Sequence, residues 1–301
     1  MKAIFDQLRR LVELRSLWLL LYIIKASLAF LMTLPLFVVA DSSLSTSILG
    51  RNLLSDWDLS VIVELFSARG DAFSPLLMTV FAGAVLYIVL MQFVNGGLYY
   101  TLVSRKFKIE WGDFFAECGM NFGINVKITL IMLIVYALLL PAGMFFVNFI
   151  GIAGGHIVGT PALLFMLFKV GIMLVILTSA SIFSDSARAA AAANPDKGLR
   201  EILRIGSEYF KPRLIKLLAI FIITYLPFVV IWLLVEWLAL VVTGGSGGMI
   251  GVIIEFILFQ VAALSRTGQK LWYLAVLGRD FHAVYPGRFI PEQVELELGD
   301  K

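Results

Sequence analysis

The sequence predicts an all-α fold: a polytopic membrane helix bundle of about six transmembrane helices, with amphipathic helices at the membrane interface. Hydrophobic residues make up 60% of the 301 positions and charged residues only 15%, whereas about a quarter of the residues of soluble domains are charged. The apolar residues also form long blocks, and about 20 residues of helix cross a bilayer. Loops rich in lysine and arginine alternate with acidic or uncharged loops between these blocks, which is typical of membrane proteins.

Six apolar blocks define the predicted spans, and we assign them to a single integral membrane domain, residues 1–301. The predicted spans are 17–40, 76–98, 126–150, 161–183, 214–242 and 249–270. The last span is interrupted by Ser265, Arg266 and Lys270. Residues 271–277 therefore either continue its helix or lie along the interface.

The positions of lysine and arginine predict the orientation, because positively charged loops stay in the cytoplasm. All but four of the 24 Lys and Arg residues lie in the N-terminal arm, in or beside the loops 99–125 and 184–213, or from residue 266 onward. The loop 41–75 has two arginines and five carboxylates. We therefore expect 41–75 to be an outer loop, and both termini, including the tail 278–301, to be cytoplasmic. This expectation requires an even number of spans.

Two cytoplasmic segments have apolar residues at helical spacing after Asp113 and after Asp196, a residue type that often starts helices. We expect both segments to lie at the interface. Four basic residues of the second segment suit anionic lipid headgroups, at about 1 kcal/mol each, or a basic stop that only sets topology. They are Arg200, Arg204, Lys211 and Arg213. The predicted partners are the lipid bilayer and a membrane protein or second copy that contacts the aromatic segment 111–122, with no nucleic acid.

Prolines occur inside the first, third and fifth predicted spans, at Pro35, Pro141 and Pro227. A proline frees backbone carbonyls inside a helix, and membranes tolerate this where neighbouring groups satisfy them. The regular spacing suggests three repeated hairpins. The alternative is that prolines are simply common in membrane helices.

Three charged side chains inside the apolar blocks form the candidate site: Lys169, Glu236 and Glu255. A charge at the centre of a span costs about 3 kcal/mol on insertion scales. At a rise of about 1.5 Å per residue, all three lie in the outer leaflet, so Lys169 is able to pair with either glutamate. Three interpretations stay open: an ion pair that joins helices, a water-filled path for an ion or solute, or side chains that extend to the interface.

Two polar stripes lie near the cytoplasmic ends of the second and fourth predicted spans. Interhelical hydrogen bonds explain such residues at about 0.6 kcal/mol each. A cytoplasmic vestibule lined by both stripes is the alternative. The stripes are Gln92, Asn95 and Tyr99 on the second span, and Thr178, Ser181, Asp185 and Arg188 on the fourth.

No motif in the sequence predicts catalysis. There is no HExxH zinc helix, P-loop or GxGxxG phosphate turn. The two histidines, His156 and His282, lie on opposite sides of the membrane in the predicted topology. The single cysteine, Cys118, excludes an intramolecular disulfide and a cysteine metal cluster. We therefore expect no enzymatic activity, no catalytic residues, no cofactor and no metal site.

The stretches NGGLYYTLVSRKFKIEWGDFFAECG and SIFSDSARAAAAANPDKGLREILRIGSEYF, within residues 95–215, resemble a family of uncharacterised bacterial multi-pass membrane proteins. In that family a Gly-Gly turn, an aromatic FFAECG-type segment and a small-residue SD-ARA segment recur between predicted helices. The resemblance implies a bacterial inner-membrane location and no assigned activity. The expected role is a non-enzymatic scaffold or assembly component, and the alternative is a transporter or channel subunit for a small solute or lipid.

Overall fold

The computed structural model describes residues 8, 11–44, 70–104, 109–153, 160–243 and 249–287. Regular structure in these ranges is entirely helical, which confirms the predicted fold class. Most of the predicted outer loop, the residues 45–69, lies outside the described residues, as do His156 and the tail beyond residue 287.

Long helices account for almost all of the described chain. A short 3-10 turn, Lys211–Arg213, connects the fifth helix to the sixth. The helices are α1 (Arg15–Leu44), α2 (Gly70–Val103), α3 (Trp111–Ala153), α4 (Thr160–Ala193), α5 (Leu199–Phe210), α6 (Leu214–Thr243) and α7 (Met249–His282).

Five described segments are long and apolar enough to cross a membrane, so the protein is a membrane protein. They are Arg15–Pro35, Met78–Val103, Trp111–Phe145, Leu164–Ala193 and Leu199–Val242. These five segments do not include the sixth predicted span, residues 249–270 of α7. The count of six spans, and the shared side of the two termini, stay predictions.

The helices extend well beyond the predicted spans. Residues 111–125 of the predicted loop 99–125 form the first turns of α3, and the loop 184–213 consists mainly of the end of α4 and of α5. The described parts of these two loops are therefore mainly helical. Helix α4 stops at Ala193, two residues before Pro195, because a proline disfavours helical backbone in the residue before it. The N-cap of α5 is Gly198, so the prediction that Asp196 starts this helix was wrong.

Residue contacts divide the chain into two compact units, residues 1–18 with 92–301 and residues 19–91. In the smaller unit, α1 and α2 approach closely, because a Cβ atom at Gly83 would lie 2.7 Å from Cγ of Met32. Apolar side chains of this unit are exposed, for example Phe30 and Phe81. Such side chains suit a lipid environment, where apolar exposure costs nothing. The assignment of residues 1–301 to a single membrane domain stays a prediction.

The core of the larger unit surrounds the last turns of α4. Ala187 and the alanines 189–193 are each at most 1% exposed. Helix α5 covers them with an apolar face that includes Ile202, Ile205 and Tyr209, which confirms its predicted amphipathic character. A Cβ atom at Gly206 would lie 3.0 Å from the Cα atom of Ala187, so this contact requires small residues on both helices.

Residues 271–277 of α7 also belong to this core. All seven are buried, at 7% exposure or less. A helix that is apolar on every side is buried on every side. The segment therefore continues α7 inside the protein, which is the first of the two predicted alternatives.

Gly96 and Gly97 lie inside α2 and within the predicted span 76–98, and they form no turn. A Cβ atom at Gly97 would lie 2.5 Å from the carbonyl oxygen of Phe114, and one at Gly96 would lie 2.7 Å from that of Glu117. The two glycines therefore let the backbones of α2 and α3 touch, which is how small residues act between membrane helices. The three prolines, Pro35, Pro141 and Pro227, lie within α1, α3 and α6, as predicted.

Candidate functional site: a buried ion network

The carboxylate of Asp185 on α4 is the centre of a buried polar network, and the residue is 2% exposed. The Tyr99 hydroxyl of α2 donates a hydrogen bond to its Oδ1 atom over 2.5 Å. Nζ of Lys270 on α7 donates to its Oδ2 atom over 2.6 Å. One carboxylate thus joins three helices that are distant in sequence.

Arg188 extends this network to a fourth helix. It lies about one turn after Asp185, with Nη1 3.7 Å from Oδ1 of that carboxylate. Its Nη2 atom donates to Oε1 of Gln92 on α2 over 3.2 Å and to Oγ1 of Thr129 on α3 over 3.0 Å. Gln92 Oε1 also accepts from Nδ2 of Asn95 over 3.4 Å. Side chains of α2, α3, α4 and α7 therefore share one set of hydrogen bonds, which we call the Asp185 network.

Protein groups compensate the charges of the Asp185 network. The side chains of Asp185 and Arg188 are 3% and 13% exposed, and that of Lys270 is 38% exposed. Burial of an ion costs several kcal/mol, which Coulomb attraction offsets only when the geometry and hydrogen bonding are good. The arrangement suits a structural joint between helices.

Three buried polar atoms beside these groups have no hydrogen-bond partner among the described residues. They are Nε of Arg188, the hydroxyl of Tyr273 and Oδ1 of Asn125. Tyr273 is fully buried on α7, with its ring centroid 5.2 Å from Nζ of Lys270. Both carboxylate oxygens of Asp185 are therefore hydrogen-bonded, whereas these three neighbouring atoms have no partner among the described residues.

A second carboxylate, Asp280, joins α5, α6 and α7. Its Oδ2 atom accepts a hydrogen bond from the Tyr209 hydroxyl over 2.9 Å, and its Oδ1 atom accepts one from Nζ of Lys216. Nε of Arg213 lies 4.0 Å from Oδ2, and its guanidinium carbon lies 5.3 Å from the centroid of the Tyr209 ring. These contacts hold the amphipathic helix α5 against the end of α7.

The structure does not bring the three predicted site residues into contact. Lys169, Glu236 and Glu255 are all half-buried, on α4, α6 and α7. Nζ of Lys169 lies 4.9 Å from the centroid of the Phe165 ring. Among the ion pairs of the described residues, each within 4.0 Å, none includes any of the three. Their proposed roles in transport or structure stay predictions.

The two polar stripes of α2 and α4 do meet. Tyr99 contacts Asp185, and Gln92 contacts Arg188, which confirms the predicted interhelical hydrogen bonds. Sequence reasoning missed Lys270, which was treated only as a topology signal at the end of a span. A buried carboxylate on one helix needs a cation from another, and this requirement was the available clue.

The chemistry of the network offers hydrogen bonding and charge compensation. In the part of the chain that the structure describes, no group of three or more His, Cys, Asp or Glu side chains is placed to hold a metal ion. Comparisons with protein families, with curated proteins and with solved structures find no match to this chain.

Proposed function

We propose that this membrane protein is a non-enzymatic scaffold or assembly component that holds a second membrane protein against the exposed face of α3. The observation that carries the proposal is the Asp185 network. Its carboxylate is bonded to Tyr99 and Lys270 inside the packed core, so these polar groups are placed to stabilise the bundle. We also propose a bacterial inner-membrane location, which rests on the resemblance of residues 95–215.

The start of α3 has two different faces, and this asymmetry supports the choice of surface. Phe114 and Cys118 are buried against α2. The opposite side exposes the large side chains of Trp111, Phe115 and Met120. It also exposes small residues, Gly112, Ala116, Gly119 and Gly123.

The small residues suit close contact with a transmembrane helix of the partner. A Cβ atom at Gly119 or Gly123 would meet no atom within 4 Å. These glycines are therefore not needed for packing within the described chain. Small residues on an exposed helix face allow a second helix to approach closely, and the flanking aromatic side chains add contact area.

The test places a photo-crosslinking amino acid at Met120 in native membranes and compares wild type with the double variant Gly119→Leu and Gly123→Leu. We expect one discrete adduct with another polypeptide, and its loss in the double variant, because the added side chains block close approach. The control is Gly171→Leu, which also has open space at its Cβ position and should retain the adduct.

Absence of an adduct at Met120, or an adduct that survives the double substitution, would contradict the scaffold proposal. An adduct between two differently tagged copies of this chain would replace the hetero-partner with self-association.

A transporter or channel subunit for a small solute or lipid is the second candidate, and one observation favours it. Lys169, Glu236 and Glu255 lie in apolar helices without an ion pair among the described residues. An unpaired charge in hydrocarbon costs about 2.5–3.5 kcal/mol on insertion scales, so contact with water would stabilise all three.

Single cysteines at positions 169, 236 and 255 separate the two candidates. The background is Cys118→Ala, which removes a buried thiol without adding volume. Labelling by membrane-impermeant thiol reagents from both sides would indicate a water path and favour transport. Complete protection in the membrane-inserted protein would indicate that no such path exists and would favour the scaffold.

A further inference from the structure

A cavity of about 400 Å³ lies between α6, α7 and the N-terminal segment. This volume is within the range of about 300–1,000 Å³ that is typical of ligand sites. Its walls are almost entirely apolar, with large contributions from Leu11, Trp18, Phe228, Val261 and Trp272. Such walls exclude sugars and nucleotides as occupants and suit a hydrocarbon chain.

One buried polar group of the wall lacks a partner. Gln269 is 6% exposed and lines the cavity. Its Oε1 atom accepts a hydrogen bond from Nη1 of Arg266 over 3.0 Å. Its Nε2 atom has no hydrogen-bond partner among the described residues and is itself fully buried, so an occupant of the cavity does not reach it. Gln269 contributes to the site by holding the side chain of Arg266.

The bonded neighbour of Gln269 is an exposed cation. The guanidinium carbon of Arg266 lies 4.8 Å from the centroid of the Tyr225 ring and 5.2 Å from that of the Phe228 ring. The ion pairs found in the described ranges do not include Arg266. A guanidinium has five N–H donors in a planar fork that matches phosphate, so Arg266 is placed to bind an anionic group beside the cavity.

Helices α6 and α7 form one side of the cavity. Only residues 244–248 lie between α6 and α7, so the two helices run antiparallel. The outer surfaces of both helices carry exposed apolar side chains near this site, such as Val230 and Ile257. A lipid molecule of the bilayer is therefore adjacent to the cavity.

We propose that this cavity binds one anionic glycerophospholipid from the bilayer. One acyl chain lies along the apolar walls, and the phosphate binds the guanidinium of Arg266. This binding site is independent of the exposed face of α3 on which the scaffold proposal depends.

The first experiment uses phosphatidylglycerol with a diazirine on one acyl chain, reconstituted with the full-length protein in lipid nanodiscs. We expect crosslinks to cavity peptides of α6 and α7 in wild type, and a strong decrease in Val261→Trp, because the indole occupies the cavity. Val261 is 50% exposed, so the larger side chain has room to avoid unfolding the protein. The control is Ile257→Trp, at an exposed position that does not line the cavity.

The second experiment tests the phosphate contact with Arg266→Gln. A charge-assisted hydrogen bond contributes about 1.5–3 kcal/mol, so we expect phosphatidylglycerol to bind about tenfold more weakly in this variant, while Lys127→Gln, at an exposed position of α3, binds like wild type.

Equal crosslinking in Val261→Trp and Ile257→Trp would overturn the proposal. So would a free fatty acid with the same diazirine that labels the cavity as well as the phospholipid does and is insensitive to Arg266→Gln, because the headgroup would then contribute nothing.

Discussion

Asp185 and Glu208 are both acidic and both lie near an arginine, but their surroundings make their contributions to stability different. The side chain of Asp185 is 3% exposed and is bonded to Tyr99 and Lys270, whereas that of Glu208 is 54% exposed and lies 3.7 Å from Arg204 on the same helix. Coulomb attraction is screened in water and strong in a low-dielectric core. A carboxylate therefore stabilises the fold at position 185 and contributes almost nothing to stability at position 208.

We expect Asp185→Ala to destabilise the protein strongly, because it leaves Lys270 and Arg188 as unpaired cations. Breaking a buried pair costs about 3–5 kcal/mol, and the partial exposure of Lys270 places the expected loss near 3 kcal/mol. The measurement is the free energy of unfolding in a mild detergent. The control, Glu208→Ala, removes an exposed pair that contributes about 0–1 kcal/mol. A loss of less than about 1 kcal/mol in Asp185→Ala would contradict the structural role of the network.

At the scale of helices, close approach is controlled by residues that have almost no side chain. Gly96 and Gly97 bring α2 against α3, and Gly206 brings α5 against Ala187 of α4. The polar networks then connect helices that these contacts have already aligned. The exposed glycines of α3, Gly119 and Gly123, have the same residue type with open space around them, which is why they are candidates for a contact outside the chain.

Alanine substitution distinguishes these two kinds of glycine by the sign of its effect. Glycine inside a helix costs about 0.5–1 kcal/mol relative to alanine, so Gly119→Ala should leave stability unchanged or raise it. Gly97→Ala should instead lower it by about 1–3 kcal/mol, because overpacking forces a backbone shift. Unfolding midpoints of the two variants under identical detergent conditions give the comparison. Stabilisation by Gly97→Ala would show that α2 and α3 do not touch at this point.

At the scale of the whole molecule, the described chain combines a packed core with extended apolar helices. The core consists of the last turns of α2, α4 and α7, the first turns of α3, and α5. Large apolar side chains elsewhere are exposed, such as Phe145 at 74% and Leu240 at 72%. This distribution is stable only where lipid covers the exposed surface.

Topology is the prediction at this scale. We expect reporter domains fused before residue 1 and after residue 301 both to report the cytoplasm, and a reporter inserted in the predicted outer loop 41–75 to report the opposite side. The physical reason is the retention of positively charged loops in the cytoplasm. Reporters on opposite sides at the two termini would require an odd number of spans and would remove α7 from the membrane.

Much of the architecture could be predicted from composition and pattern. Long apolar blocks require helices, because a spanning segment must satisfy its backbone hydrogen bonds internally. The prolines at positions 35, 141 and 227, the end of α4 before Pro195 and the amphipathic α5 also follow from local chemistry. Each of these features depends on residues within a few turns of one another, which a sequence displays directly.

The polar contacts between helices could be predicted only in part. Helical spacing placed Gln92 and Tyr99 on one face and Asp185 and Arg188 on another, but periodicity gives no distance between helices. Charge within an apolar block singled out Lys169, Glu236 and Glu255, whereas the structure pairs Asp185 with Lys270.

The sequence by itself determined that this protein is helical and membrane-embedded, because the length and polarity of each segment decide those properties. Only the tertiary structure decided which polar groups meet. It placed Gly97 against the backbone of α3, buried residues 271–277 on every side, and paired Asp185 with Lys270. Such contacts join residues that are far apart along the chain, and their energies depend on distances and burial that arise only when the helices pack.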